Sequence, residues 1–430
     1  MTVDGPAGSG EFGRAVTMLP NGNFVVTDPG FDAPGPIADV GAVYLYRPNG
    51  TLISTLRGGS FNDRVGSAGI VVLANGNFVI RSPEWRNGEA GRAGAVTFAS
   101  GTSGSEGIVS PSNSLVGGTA GDTVGDLGVT ALTNGNYVVI SPNWDNGGIW
   151  DAGAVTFGSG ISGIAGVVSS TNSLVGSQLG DFVGGYGVTA LANGNYVVRS
   201  PSWDNGPFGN SGAVTFGSGT SGINGVVSPA NSLVGSVSGD EIGSLGVTAL
   251  TNGNYVVVSP GWNNGGDFDV GAVTFGSGTS GIAGVVSPAN SLVGSTEGDS
   301  VGFPGVTALT NGNYVVCSLN WDDDEIANAG AVTFGSGTNG ITGVVSAANS
   351  LIGSKQNDYV GGARATALTN GNYVVLSPFW DDGVSSNVGA VTLGSGTSGT
   401  SGVVSVSNSL VGLNPNDDLD VSVTALTNGN

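Results

Sequence analysis

Short runs of apolar and β-branched residues recur along the chain, separated by turns rich in glycine, asparagine and serine. In the unit over residues 118–176, the runs Val129–Leu132 and Tyr137–Ile140 flank the turn Thr133–Asn136. Asn-Gly supplies the positive φ angles that a tight hairpin turn needs. The pattern therefore predicts that each unit begins with a β-hairpin.

Two further runs complete the unit. Ala154–Phe157 follows a loop that contains Trp144, and Val167–Val175 follows a turn of glycine and serine. None of these segments shows the sustained spacing of an amphipathic helix. The unit is therefore predicted to contain four short strands.

The unit is repeated with a period of 59 residues. The tripeptide Asn-Gly-Asn begins at Asn21, Asn75, Asn134, Asn193, Asn252, Asn311, Asn370 and Asn428. Aspartate recurs every 59 residues at Asp63, Asp122, Asp181, Asp240, Asp299, Asp358 and Asp417. We expect units at residues 8–58, 59–117, 118–176, 177–235, 236–294, 295–353 and 354–412, followed by a partial closing strand over 413–430.

Repeated groups of four short strands predict an all-β fold, namely a seven-bladed β-propeller of four-stranded antiparallel blades that forms a single domain over residues 1–430. Closure of the ring would hide the sheet edges that separate blades expose. The main alternative is a β-solenoid, whose coils usually run about 20 to 30 residues with one or two strands per turn. The last residues either close the ring or continue toward further blades.

The composition disfavours several functions. Ten Lys+Arg against 31 Asp+Glu give a net charge of −21, which repels nucleic acid and anionic membranes. The chain has no histidine and one cysteine, Cys317, so zinc, haem and histidine-dependent acid–base sites are disfavoured. Neither a membrane span nor a signal peptide is apparent. We expect no nucleic-acid partner and no membrane insertion, in a protein that is either cytosolic or part of a longer exported chain.

Three segments of the first unit follow one another in a distinctive order. They are Glu11–Val16 with Phe-Gly, the valine-rich Phe24–Gly30, and Gly41–Tyr46 with a glycine, aliphatic residues and tyrosine. This order resembles the FG-GAP repeat of integrin α-chain propellers and their bacterial relatives, and it recurs in all seven units. The near-identical units are also similar to repeat arrays of large bacterial secreted surface proteins. The resemblance implies a propeller in an extracellular setting.

The chain departs from the FG-GAP pattern at one place that concerns function. Repeats of that family often have an Asp-x-Asp-x-Asp-Gly calcium loop between their first two strands. The corresponding segment here is the turn Thr133–Asn136, which is too short and has no carboxylates to supply six to eight oxygens. The calcium site of that family is therefore not expected in this turn.

A tryptophan loop and an aspartate loop are expected on the same face of each blade, because the loops after the second and fourth strands lie at the same ends of the strands. The candidate ligand-binding residues are Trp85, Trp144, Trp203, Trp262, Trp321 and Trp380. These rings either pack between neighbouring blades or form exposed platforms that stack on sugars or bind a protein partner.

The same loops contain a second carboxylate or amide six residues after the first. The candidate metal ligands are Asp145, Asp151, Asp204, Asn210, Asp269, Asp322 and Asp381. They either cap turns or form shallow calcium sites of the millimolar kind found in extracellular modules. Arg86 and Arg92 occupy the two places in the second unit, which would abolish a cation site there. The aspartates of the 59-residue series are expected to cap turns.

Repetition favours binding over catalysis, because an enzyme needs an asymmetric group of acid, base and stabiliser. Each carboxylate exists in six or seven copies, and the cluster Asp322–Glu325 is locally unusual. Several weak sites acting together gain about 10² to 10⁴ in avidity. We therefore predict a non-enzymatic adhesion module, extracellular or at the cell surface, with a glycan or protein partner and calcium as a possible cofactor. A structural spacer in a large surface protein is the alternative, followed by a carboxylate-based glycoside-acting enzyme.

Overall fold

The structure is a computed structural model that describes residues 2–35, 37–417 and 423–427. Within these ranges the regular secondary structure is composed of strands, and no helix is present. The all-β prediction is therefore confirmed. Accordingly, no helix in the described part of the chain has the length and apolar character needed to cross a bilayer.

Most strands are three to five residues long and follow the repeat. The first seventeen are β1 (Ala15–Met18), β2 (Phe24–Asp28), β3 (Ala42–Tyr46), β4 (Leu52–Arg57), β5 (Ile70–Val72), β6 (Phe78–Ser82), β7 (Ala95–Ala99), β8 (Gly107–Ile108), β9 (Ser114–Val116), β10 (Gly128–Ala131), β11 (Tyr137–Ser141), β12 (Ala154–Gly158), β13 (Gly166–Val167), β14 (Ser173–Val175), β15 (Val188–Ala190), β16 (Tyr196–Ser200) and β17 (Ala213–Gly217). The others are β18 (Gly225–Val226), β19 (Ser232–Val234), β20 (Gly246–Ala249), β21 (Tyr255–Ser259), β22 (Ala272–Gly276), β23 (Gly284–Val285), β24 (Ser291–Val293), β25 (Pro304–Ala308), β26 (Tyr314–Ser318), β27 (Ala331–Gly335), β28 (Gly343–Val344), β29 (Ser350–Ile352), β30 (Ala365–Ala367), β31 (Tyr373–Ser377), β32 (Ala390–Gly394), β33 (Gly402–Val403) and β34 (Ser409–Val411).

The described strands form seven sheets of four or five strands, and none of these sheets closes on itself. The chain divides into two compact units, of which the first comprises Met1–Trp203 and Gly217–Val227 and the second Asp204–Phe216 and Ser228–Asn430. The closure of seven blades into one propeller over residues 1–430 stays a prediction. Of the predicted closing strand, residues 418–422 and 428–430 lie outside the described residues, and the described parts, 413–417 and 423–427, form no strand.

Each repeat contributes four consecutive strands to one sheet. In the first unit the orders are β1-β2-β3-β4-β8, β13-β9-β7-β6-β5 and β10-β11-β12-β14-β18, and β15 pairs with β16. In the second unit the orders are β20-β21-β22-β24-β28, β25-β26-β27-β29-β33 and β30-β31-β32-β34, while β19 pairs with β17 and β23. The first four strands in each of these complete sheets are antiparallel, as predicted.

The predicted hairpin is present, but its turn differs from a two-residue Asn-Gly turn. The N–H of Leu132 donates to the carbonyl of Asn136 (2.8 Å), and the N–H of Gly135 donates to the carbonyl of Leu132 (3.0 Å). Gly135 has a φ of 88°, whereas Asn134 is not left-handed. This combination is a four-residue turn followed by a glycine bulge. The side chain of Asn134 stabilises it by accepting the N–H of Asn136 (3.1 Å).

The predicted fourth strand, Val167–Val175, is two strands with different partners. The side chain of Asn172 accepts the N–H of Ser169 and donates to the carbonyl of Val167, both at 2.9 Å, which folds the chain between them. After this turn, β14 pairs with β12 of its own repeat. The preceding β13 pairs in parallel with β9 of the previous repeat. The local capping by asparagine explains why a continuous run of β-forming residues is interrupted.

The core lies between the sheets of successive repeats. In the first unit, Val79 and Val96 of one sheet cluster with Tyr137 and Val139 of the next, together with Trp144. The second unit has corresponding clusters around its β21, β22 and β26 strands. The burial of each apolar sheet face therefore depends on the neighbouring repeat, as in other repeat proteins.

Each of five repeats packs a tyrosine ring against a glycine on the adjacent strand. Tyr137 is paired with Gly158, and a Cβ built on that glycine would lie 2.2 Å from the Cζ atom of the ring. The rings are completely buried. In the second repeat the corresponding pair is Phe78 and Ala99, so a methyl group is present only where the phenol is absent. Glycine is required here because of the close approach of the ring.

Candidate functional site

The six candidate tryptophans are buried. Their exposed fractions are between 2% and 5% in Trp85, Trp144, Trp203, Trp262, Trp321 and Trp380. Trp144 is fixed by its backbone, since its N–H donates to the carbonyl of Ser141 (3.2 Å) and its carbonyl accepts the N–H of Gly153 (2.9 Å). The ring faces are therefore not open platforms. The burial favours the packing alternative, because these rings fill the space between repeats.

The paired carboxylates and amides close the tryptophan loops by hydrogen bonds. Asp145 accepts the N–H of Asp151 through Oδ1 at 2.9 Å, and Asp151 adopts a left-handed φ of 53°. The same contact joins Asp204 to Asn210 (2.7 Å), Asn263 to Asp269 (2.9 Å), Asp322 to Asn328 (2.7 Å) and Asp381 to Asn387 (2.7 Å). These bonds favour the turn interpretation of the candidate metal ligands.

The second repeat shows that the loop conformation does not require the carboxylate. Arg92, at the place of Asp151, adopts the same left-handed φ of 54°. Among the described residues there is no group of three or more histidine, cysteine or acidic side chains suited to hold a metal ion. Burial and the nearby charge of Asp145 raise the pKa of Asp151. Calcium binding at these loops stays a prediction.

The aspartates of the 59-residue series are buried connectors between loops. Asp122 accepts the N–H groups of Gly118 (2.7 Å) and Thr119 (2.8 Å) through Oδ2 and that of Asp145 (3.1 Å) through Oδ1. It is 0% exposed. Burial raises the pKa of Asp122, although the three hydrogen bonds oppose the shift. The same three contacts recur at Asp63, Asp240, Asp299 and Asp358.

The most exposed tryptophan is Trp150, which lies outside the aligned series. Its residue is 68% exposed, and the neighbouring Leu179 is 67% exposed. Both line an open groove of about 490 Å³ on the first unit. The complete lining of the groove is Gly148, Ile149, Trp150, Ser177, Gln178 and Leu179.

The backbone on both sides of this groove is fixed. The N–H of Gly180 donates to the carbonyl of Trp150 (3.2 Å), and that of Phe182 donates to the carbonyl of Asp151 (3.0 Å). Asp181 accepts the N–H groups of Ser177 (2.7 Å) and Gln178 (2.9 Å). The buried aspartate thus orders the loop that faces Trp150.

The position of Trp150 is occupied by different side chains on the same backbone. The carbonyl at this position accepts an N–H from the following aspartate loop at 3.0 to 3.2 Å in each repeat. The residues there are Ala38, Gly91, Trp150, Gly209, Phe268, Ala327 and Ser386. In the second unit, Phe268 is 61% exposed. The fixed backbone therefore presents a variable side chain, large and aromatic in two repeats.

The search for an aligned series led the sequence analysis past Trp150. A side chain that packs between repeats is needed in every copy, whereas a side chain that binds a partner is not. The signal was present, since Trp150 is the one tryptophan that has no counterpart at intervals of 59 residues.

Comparison with known proteins identifies a repeat family. The sequence model of a family described as a repeat of unknown function (DUF5650) matches the chain six times, at residues 72–126, 131–185, 190–244, 249–303, 308–362 and 367–420. The match confirms the repetitive organisation, and it does not identify an FG-GAP or integrin family. No curated protein matches the chain.

Proposed function

We propose that this chain, which belongs to the family described as a repeat of unknown function (DUF5650), is a non-enzymatic binding module that contacts a glycan through Trp150. The observation that supports this proposal most directly is the 68% exposure of Trp150 beside an open groove. Apolar side chains of this size rarely face only water when they lie together on a surface.

The chemistry of the groove is suited to a sugar ring. The indole of Trp150 offers a flat apolar surface, and Ser177 and Gln178 line the same groove with polar groups. Sugars combine an apolar ring face with hydroxyl groups at its edge, so they require this combination of neighbours. A site of this size is expected to contribute about 4 kcal/mol, which corresponds to millimolar affinity.

The ordered backbone supports binding at low entropic cost. Asp181 and the hydrogen bond from Gly180 to Trp150 hold both walls of the groove before any ligand arrives. Preorganised walls reduce the loss of conformational freedom on association. The long-range field of a chain with a net charge of −21 makes neutral glycans better partners than anionic ones.

A protein partner is the second candidate, because Leu179 extends the apolar surface beyond the indole. Aromatic residues beside aliphatic ones are common at the centres of protein interfaces. In either case we propose an extracellular or cell-surface setting, consistent with the FG-GAP-like order of segments and the few basic residues. Catalysis has no part in the proposal.

Glycan-array binding of the 430-residue protein tests this function. We expect binding to a restricted set of neutral glycans, weakened about tenfold or more by Trp150→Ala. Ile161→Ala is the matched control, since Ile161 is 83% exposed on the same repeat but follows the opposite end of β12. Equal binding by the two variants would contradict the proposal. A folded protein that binds neither glycans nor proteins at millimolar concentration would favour the structural spacer.

A further inference from the structure

The outer edge of the last described sheet lacks a strand that its neighbours have. In the sheets whose fourth strands are β24 and β29, that strand pairs in parallel with β28 and β33 of the following repeat. The last sheet ends with β34, which pairs with β32 alone. This difference leaves the hydrogen-bonding edge of β34 open within the described part of the second unit.

The side chains at this edge change from buried to exposed. Leu351 of β29 is 1% exposed, whereas the corresponding Leu410 of β34 is 76% exposed. Leu393, on the adjacent strand, is 62% exposed. Together with Val374 and Val391 these leucines line a groove of about 410 Å³.

The preceding interface shows what covers such a surface. A ten-residue connector, 395–404, lies against the previous repeat in an extended form. Gly402 and Val403 pair with Leu351 and Ile352. Val404 is 2% exposed and belongs to the core cluster that contains Leu351.

Glycines allow this connector to approach closely. A Cβ built on Gly399 would lie 2.5 Å from the Cβ of Phe334, and Gly399 has a left-handed φ of 74°. At the start of the connector, the carbonyl of Gly396 accepts hydrogen bonds from the side chains of Asn311 (2.6 Å) and Asn313 (2.8 Å). The recognised chemistry is thus an extended Gly-Ser-Gly segment followed by Gly-Val-Val.

The chain beyond β34 already begins to follow the same course. The hydroxyl of Thr369 donates to the carbonyl of Leu426 at 3.0 Å, as that of Thr310 donates to Leu368 at 3.2 Å. Asp417 accepts the N–H groups of Leu413 and Asn414. The open edge is therefore continuous with a contact that precedes every further repeat.

We propose that the outer edge of β34 is the docking site for the connector of a further repeat of the same family. The connector adds a short parallel strand to β34 and inserts its second valine beneath Leu410, as Val404 is inserted beside Leu351. The site recognises this glycine-rich sequence through backbone hydrogen bonds and one buried valine. It is independent of the Trp150 groove.

Two probes test this proposal with the 430-residue protein. The first is a synthetic peptide with the sequence of residues 336–349, added in trans. The second is a fusion of a copy of residues 373–412 after Asn430, which supplies the connector at high effective concentration. Hydrogen exchange of the amides in β34 is the readout. We expect the fusion to slow this exchange about tenfold or more, and the peptide to slow it in proportion to its concentration.

Controls separate the proposed contact from general stabilisation. Leu410→Asp is expected to abolish both effects, whereas Val384→Asp, at a position that is 95% exposed, is expected to preserve them. A peptide with Val345→Asp lacks the buried valine and should not bind. Unchanged exchange of β34 in the fusion would overturn the proposal. So would a dimer of the 430-residue chain that Leu410→Asp dissociates, because a second copy would then cover this edge.

Discussion

Replacement of Asp122 by alanine tests the role of the repeated aspartates directly. The carboxylate is completely buried and accepts three backbone N–H groups, two from the loop that precedes it and one from Asp145 in the tryptophan loop. Alanine leaves these donors without an acceptor in a place that water does not reach. The substitution therefore disconnects two loops at once.

The expected loss of stability follows from the number of donors. A buried N–H without a partner costs about 1 to 3 kcal/mol, so Asp122→Ala should lower the local free energy of unfolding by roughly 3 to 5 kcal/mol. Asp122→Asn retains one oxygen and should cost roughly 1 to 2 kcal/mol, because one of the two loops keeps its acceptor. Asp126→Ala removes the same charge from an exposed position and should change stability by about 0.5 kcal/mol or less.

Hydrogen exchange is the appropriate assay, because repeat proteins can open locally without unfolding as a whole. Peptides that cover residues 118–151 report on both loops. We expect faster exchange there in Asp122→Ala and little change in the distant first repeat. If Asp122→Ala and Asp126→Ala have the same effect, the hydrogen bonds of Asp122 do not stabilise the loops and the reasoning fails.

Three further predictions concern packing, pH and calcium. Gly158→Ala should cost about 1 to 3 kcal/mol, measured by denaturation, and Tyr137→Phe should recover part of this loss because it restores the Phe–Ala combination of the second repeat. Burial raises the pKa of Tyr137 and its counterparts above the ordinary value of 10.0, so stability is retained below pH 10.0 and falls as the pH rises further, by about 1.4 kcal/mol per pH unit for each tyrosine. Alkaline melts of the wild type and Tyr137→Phe measure the slope. Because Asp145 closes its own loop, removal of calcium by chelation should change Tm by less than about 1 °C.

The hydroxyl of Tyr137 explains the direction of the pH effect. It has no hydrogen bond of ordinary geometry, although the backbone of Ile164 lies close enough to lower its pKa slightly. Desolvation is the larger effect, so the folded state binds the phenolic proton more tightly than the unfolded state does. A flat alkaline profile would show that the rings are accessible to water.

The fold was predictable because the same physical requirement is repeated. Burial of alternate residues in Tyr137–Ser141 and the punctuation by Asn-Gly specify strands and turns without knowledge of neighbours. The exception was the split of the fourth strand. Its cause is the side chain of Asn172, which binds the backbone on both sides of the turn, and residues of β-forming type on either side concealed that signal.

The candidate site was less predictable, because composition cannot distinguish a buried aromatic ring from an exposed one. Trp144 and Trp150 are six residues apart in the same loop, yet they are 5% and 68% exposed. The difference depends on the neighbouring repeat, which covers the first ring and leaves the second open. The aspartate pairs were ambiguous for a similar reason, since a turn cap and a calcium ligand use the same oxygens.

The two kinds of position in these loops indicate how the repeat can acquire binding without losing its fold. Asp122 and Asp181 satisfy backbone donors in successive copies, so the loop conformation is maintained by residues that do not face solvent. Trp150 is held by its carbonyl group alone, so its side chain is free of structural duty. Substitution there should therefore alter affinity without altering stability, whereas substitution of the aspartates should alter both, since the groove at Trp150 depends on the loop that Asp181 orders.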